Sequence, residues 1–283
     1  MLTGLTAVLK PAQKGHYAVP AFDCVEDILV RTILDTAEEK RSPVILMALE
    51  HDLKGRGMTY ISSLIRSVAP SYTIPVVLHL DHAENIDQVK RALDHGFTSV
   101  MYDGSTLPFE ENVKRTREVV ELARLYRAST EAELGRVAGQ ELSGGDTGDT
   151  ILTDPAKVVE FIAETEVDAL AISIGTAHGV YTATPNLQQD LLSEISAATK
   201  VPLVLHGGSG TPLDQVQEAI RRGITKLNIY ADLRMGMWKG FSRTAATQTR
   251  IDPLPDQIFA DMRSEMKTVI EDKISMCMSA NRV

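Results

Sequence analysis

Three histidines and a set of carboxylates stand where short apolar runs give way to polar residues: Asp81 and His82, Asp103, Glu131 and Glu133, and His206, with Asn228 ending a last such run and His178 just past another. Neutral imidazoles bind divalent ions, and three of them around one open coordination position are a familiar catalytic zinc arrangement, the ion then acting as a Lewis acid. Asp81, next to a candidate ligand, suits proton exchange with a substrate hydroxyl while a metal holds the neighbouring carbonyl. Asp103 is read as a carboxylate that orients a histidine. Glu131 and Glu133 flank Ala132 and so share one face of a strand, from which either can supply a fourth ligand or a contact behind the ligands. Of the seven histidines, His16, His51, His79 and His95 lack this setting. His79 shares the strand face of Asp81, as a barrel-interior or supporting residue, whereas His82 points the other way unless the strand has already ended.

Glycines mark the rest of the site, in "GTAHG" around His178 and "HGGSG" from His206 to Gly210. They let the backbone approach a ligand closely, and a helix expected after Thr211 adds an N-terminus favourable to an anion.

To gather these residues at one place the chain needs elements that end together. Eight β-rich runs recur: Tyr17 to Asp23, Pro43 to Leu49, Pro75 to His82, Ser99 to Asp103, Ser129 to Leu134, Ala169 to Gly175, Leu203 to His206 and Lys226 to Tyr230. Between them lie segments of helical spacing, including Ile28 to Glu39, Ile86 to Asp94, Phe109 to Tyr126, Pro155 to Glu164, Leu187 to Thr199 and Leu213 to Arg222. Asp154 with Pro155, and Thr211 with Pro212, read as N-cap and first helical position, and Gly96 and Gly223 as residues just past helix ends. Eight βα units predict an α/β fold, a (β/α)₈ TIM barrel with additional C-terminal helices after Asp252, forming a single domain over residues 1–283. Reactive groups of such a barrel sit at the carboxyl ends of its strands, where these residues fall. The glycine-rich stretches Gly135 to Thr153 and Gly175 to Pro185 read as lids or binding loops.

The chain has 283 residues, 43% of them hydrophobic, and a formal net charge of -9 without a long Lys/Arg run, which argues against nucleic acid as a partner. No apolar stretch is long enough for a membrane helix, and no secretory signal pattern opens the chain, so a soluble cytoplasmic protein is expected. Cys24 and Cys277 are read as reduced thiols.

In this order along the chain, "YAVPAFD", "HLDH", "SVMYDGS" with "LPFEENV", "EAELG", "GTAHG", "VLHGGSG" and "KLNI" resemble the class II, metal-dependent fructose- and tagatose-bisphosphate aldolases. The resemblance implies zinc held by His82, His178 and His206, with Glu133 as an alternative ligand, Asp81 as acid/base, and Glu141 exchanging a proton at the enediolate carbon. It implies reversible retro-aldol cleavage of a ketose 1-phosphate to dihydroxyacetone phosphate and an aldehyde, with zinc polarising the ketone and stabilising the enediolate. Gly179, Gly207, Gly208, Ser209, Asn228, Tyr230 and Ala231 match positions around the dihydroxyacetone phosphate. Family members commonly use a monovalent cation, Na⁺ or K⁺, near that phosphate and assemble as homodimers or homotetramers.

Departures from the family pattern bear on the substrate. Ala231 replaces a threonine, Asp23 the asparagine of "PAFN", Leu49 a serine, and "AGQEL" stands for "GGED". An acid at position 23 repels a second phosphate, so an altered aldehyde half is expected, either unphosphorylated or bearing another polar group. The competing readings are a zinc-dependent hydrolase on the same barrel and a catalytically inactive family member. A Schiff-base aldolase is disfavoured, because Lys226 is expected at the wrong end of the eighth strand.

Overall fold

The computed structural model describes residues 2–139, 149–179 and 184–283. Its main sheet is a closed parallel barrel of β1 (Val19–Asp23), β2 (Val44–Leu49), β3 (Val76–Ala83), β4 (Ser99–Tyr102), β5 (Ser129–Leu134), β6 (Ala169–Ile172), β7 (Leu203–Leu205) and β8 (Ile224–Ile229). The strands follow one another round the barrel in chain order, and β8 closes on β1 with Val19 beside Lys226 and Ala21 beside Asn228. Closure removes the unpaired strand edges that an open sheet would expose.

The helices are α1 (Leu5–Gly15), α2 (Asp27–Glu39), α3 (Gly57–Val68), α4 (Ile86–Asp94), α5 (Phe109–Leu125), α6 (Pro155–Thr165), α7 (Gln189–Ala198), α8 (Leu213–Arg221), α9 (Ala231–Thr247) and α10 (Pro255–Met276). The C-terminal extension expected after Asp252 is α10, which packs on α9 and α2. Asp154 does cap α6, its side chain accepting from the Ala156 amide at 2.9 Å. At α8 the cap position is Pro212 itself, and the Thr211 hydroxyl turns back to the Gly207 carbonyl at 3.0 Å. Gly96 and Gly223 have φ of 83° and 127°, which a side chain would resist.

Period-two alternation divides the barrel residues between two cores. Outward residues such as Phe22, Leu46, Leu78 and Leu205 pack under the helices. Inward residues Val19, Ala21, Ile45, Met47, Val77, Met101, Ala169, Ala171 and Val204 fill the lower barrel with Leu5, Val8, Leu9 and Ala12 of α1. Thus α1, which the sequence reading does not assign as a helix, plugs the end of the barrel away from the polar residues. Beside and above this apolar filling, other inward positions carry His79, Asp81, Ser99, Glu131, Glu133, Lys226 and Asn228, all buried. A two-residue parallel pairing, Ala138 with Ala177 and Gly139 with His178, ties the segment after β5 to the one after β6.

Candidate metal centre and active site

Strand β3 delivers both Asp81 and His82 to the mouth by breaking its own alternation. His82 has φ of 45°, and the pairing of β3 with β4 slips between Leu80 and Ala83. This bulge turns the His82 side chain inward, where regular pleating would have faced it outward. A non-glycine residue there is uncommon and modestly strained, a feature that concentrates at functional sites.

The three imidazoles converge. Ring centroids lie 4.5 Å apart for His82 and His206, 5.0 Å for His82 and His178, and 5.8 Å for His178 and His206. One nitrogen from each falls within 4.8 Å of the others, as do ligand atoms of His82, Asp103 and Glu133.

Hydrogen bonds fix which nitrogens face inward. His82 Nδ1 donates to Asp103 Oδ2 at 2.8 Å, and His206 Nε2 donates to Glu131 Oε1 at 2.9 Å. Ionised carboxylates only accept, so the hydrogens of the neutral rings point outward and the remaining nitrogens, His82 Nε2 and His206 Nδ1, face each other at 2.8 Å. Two nitrogens at that distance share either a proton, which the raised pKa of His82 supplies in metal-free protein, or a metal cation beside them. His178 Nε2 and Glu133 Oε2 are buried without a hydrogen-bond partner, the latter 3.8 Å from His206 Nδ1. Buried orphans of this kind need an explanation, and a divalent ion shared by the imidazoles supplies it. The donor set therefore fits zinc.

Electrostatics follow the same plan. Burial pushes the His178 and His206 imidazoles well below their ordinary range, keeping them in the neutral form that ligates. Burial acts against the charged form of His82 too, but the carboxylates of Asp81 and Asp103 outweigh it and raise its pKa. Asp103 is half-buried, and although burial works against its charge, the His82 hydrogen bond and charge hold its carboxyl below the usual range. Glu133, buried and facing Asp103, is pushed up to about 8. Burial also raises Asp81, whose oxygens accept from the Asn228 side-chain amide at 3.2 and 3.4 Å.

Beneath the histidines lies a residue that the sequence reading misplaces. Strand β8 begins at Ile224, two residues before the expected start, so Lys226 is not at its far end. Its side chain is fully buried and its Nζ contacts both oxygens of Glu131, at 2.9 and 2.8 Å. His79 lies alongside, with Nδ1 2.8 Å from Ser99 Oγ. The signal available in sequence was parity: Lys226, Asn228 and Tyr230 alternate on one face.

The glycine loops border this centre. Gly207 has φ of 68°, and a Cβ there would stand 2.3 Å from the Ala177 carbonyl oxygen. Gly208 donates to the Asn228 carbonyl at 3.0 Å, leaving no room for a side chain against Leu227. The Ser209 hydroxyl accepts from the Tyr230 and Asp232 amides, each at 3.2 Å. Ala231 opens α9 and Gly179 has φ of 90°. The Tyr230 ring is covered by the Arg234 guanidinium at 4.5 Å. Asp23 and Leu49, buried at the ends of β1 and β2, share the parity of the inward Ala21 and Met47. Glu141 lies outside the described residues. Among the described residues no helix is long and apolar enough to cross a membrane.

A family model described as fructose-bisphosphate aldolase class-II matches residues 3–282. The YdjI aldolase from Escherichia coli K12 is similar at 30% identity with a TM-score of 0.88, the match covering 100% of this chain and 99% of that one. A candidate fructose-1,6-biphosphate aldolase from Coccidioides immitis gives 28% identity, a TM-score of 0.90, and coverage of 98% and 97%. The fructose-bisphosphate aldolase of Campylobacter jejuni, at 22% identity, a TM-score of 0.83 and coverage of 100% and 97%, shares the fold.

Proposed function

This chain belongs to the class II fructose-bisphosphate aldolase family, and from that premise we propose that it cleaves a ketose 1-phosphate reversibly to dihydroxyacetone phosphate and an aldehyde that carries no phosphate. The observation that carries the proposal is the convergence of the three imidazoles: His82 Nε2 and His206 Nδ1 face each other at 2.8 Å beside the buried, unpartnered His178 Nε2, with His82 Nε2 4.0 Å from Asp81 Oδ2.

His82, His178 and His206 would hold the metal, with Glu133 as an alternative ligand. Zinc bound there supplies Lewis acidity, polarising the substrate ketone and lowering the energy of the negative charge that cleavage leaves behind. Asp81 performs the proton transfer. Its carboxylate takes the proton of the hydroxyl on the carbon that becomes the aldehyde; the carbon–carbon bond breaks, and its electron pair passes into the ketone fragment. A proton then returns to that fragment's carbon, the role that family resemblance gives Glu141. Asn228 holds Asp81 in place, and the raised pKa of Asp81 suits a group that must both accept and return a proton. The backbone around Gly207, Gly208 and Ser209, at the start of α9, suits the phosphate of the dihydroxyacetone portion.

The far half of the substrate is read from Asp23 and Leu49. A buried carboxyl and an apolar side chain replace two neutral polar groups at the mouth, which disfavours a second phosphate. No observation favours the hydrolase or the inactive-member reading. A panel of ketose 1-phosphates differing at the far end, scored by release of dihydroxyacetone phosphate, tests the assignment. The expected result is a kcat/KM at least tenfold higher for far ends without phosphate, about 1.4 kcal/mol of discrimination, with Asp23→Asn narrowing the gap. A clear preference for bisphosphates would contradict it.

A further inference from the structure

We infer that Lys226 and Glu131 form an orienting unit for His206, fixing its hydrogen on Nε2 so that Nδ1 is left bare toward His82 and His178. This inference rests on the metal-site reading above and concerns two residues that need touch neither metal nor substrate.

The geometry is a relay across three strands. Val204 on β7 lies level with Lys226 on β8, so His206, two residues further along β7, stands one inward layer above the lysine. Glu131 reaches in from β5, two strands beyond β7 in the barrel. Its Oε1 is shared by Lys226 Nζ and His206 Nε2, each at 2.9 Å, while Oε2 takes the second lysine contact at 2.8 Å. All three side chains are fully buried.

A buried ion pair is a poor stabilising device, because desolvating two charges cancels much of their attraction, and apolar residues of similar volume are often as good. What this pair supplies, and an apolar pair cannot, is an acceptor-only group aimed at His206 Nε2 inside the barrel. Without that acceptor His206 has two tautomers, and the one with hydrogen on Nδ1 points it at His82 Nε2 and blocks ligation. Partners behind metal-binding histidines commonly act in this way, and losing one costs about 10- to 100-fold in metal affinity. Lys226 holds both oxygens of that acceptor in place. The pair is thus a positioning element and Lys226 is not a Schiff-base nucleophile.

Glu131→Gln gives a discriminating test. A glutamine has one acceptor oxygen, which Lys226 claims, so its NH₂ turns to His206 Nε2 and forces the hydrogen onto Nδ1. Adding Lys226→Met frees the amide to flip and offer its oxygen to Nε2 again. In metal-free protein labelled with ¹⁵N-histidine, long-range ¹H–¹⁵N correlation should show Nε2 of His206 protonated in the wild type, Nδ1 alone protonated in E131Q, and Nε2 protonated again in E131Q/K226M. Cobalt or zinc affinity by chelator competition should fall about 10- to 100-fold in E131Q and recover in large part in the double variant; a merely structural pair would also regain stability once the orphaned lysine is removed, but it would leave the same nitrogen of His206 protonated in all three proteins. An E131Q protein that folds with Nε2 still protonated and unchanged affinity overturns the inference. So does a wild-type His206 with an unprotonated Nε2, which requires no variant. Wild-type protein that binds neither cobalt nor zinc would count against the metal-dependent aldolase reading instead, and the tautomer series would still decide this one.

Discussion

The two outer nitrogens of His82 and His206 are each tied to a carboxylate, and that constraint gives the site its appetite for a cation. In metal-free protein part of the demand falls on protons. Glu133, fully buried, is pushed up to about 8, first by burial and then by the charge of Asp103. Its folded state therefore holds a proton that the unfolded chain releases near the ordinary carboxylate range. The stabilising effect is complete at low pH and is lost as pH rises through about 8. Accordingly, metal-free wild-type protein should lose denaturant resistance between the ordinary carboxylate range and pH 8, and Glu133→Gln should flatten that slope; parallel slopes in the two proteins would refute the assignment. At this scale sequence was informative about residue type and poor about direction. Asp81, the three histidines and Asp103 were legible from their places at strand ends. The inward turn of His82 was not, because it depends on a left-handed residue inside a strand. Nor was the Lys226–Glu131 contact, because a long side chain rising from a lower layer leaves no mark in a motif.

Elements matter here for where they stop. Eight strands were recoverable from aliphatic runs; β5 spans the expected residues, and the other seven shifted by one to three residues at one end or both. The shift at β8 changed the meaning of Lys226 from a residue at the wrong end to one within the barrel. The pairing of Ala138–Gly139 with Ala177–His178 was invisible in sequence, since two residues carry no period. It positions a candidate ligand: Gly139 has φ of 113°, and a Cβ would stand 2.4 Å from the His178 carbonyl oxygen. Gly139→Ala should therefore displace His178 and weaken metal binding, measured by chelator competition. Gly55, with φ of 60° and open space around its Cβ position, is the control. Gly55→Ala also places a side chain at positive φ, in the more tolerant left-handed helical region, and should leave metal affinity unchanged. Equal losses in the two variants would mean that strain, and not the contact with His178, is responsible.

As a whole, the molecule separates stability from chemistry along the barrel axis. Apolar residues and α1 fill one end, and buried ionisable groups gather toward the other, where Glu131 answers Lys226 and Asp103 answers His82 while Glu133 Oε2 and His178 Nε2 have no hydrogen-bond partner among the described residues. The barrel class was legible because eight βα repeats leave few alternatives, whereas α1 was not: it contains Pro11 and precedes the first strand, outside the repeat. Leu9→Ala, at a fully buried position of that plug, should cost about 2–5 kcal/mol in denaturant unfolding with kcat unchanged, since it lies at the end away from the site. A large fall in kcat in folded protein would show that the two ends are coupled. The most direct test of the central claim compares His206→Ala with Asp81→Ala for zinc content by elemental analysis and for dihydroxyacetone phosphate release from a ketose 1-phosphate. His206→Ala should lose both zinc and cleavage, while Asp81→Ala should keep zinc and lose about 10²- to 10⁴-fold in kcat. Full cleavage by chelator-stripped wild-type protein, or by either variant, would contradict it.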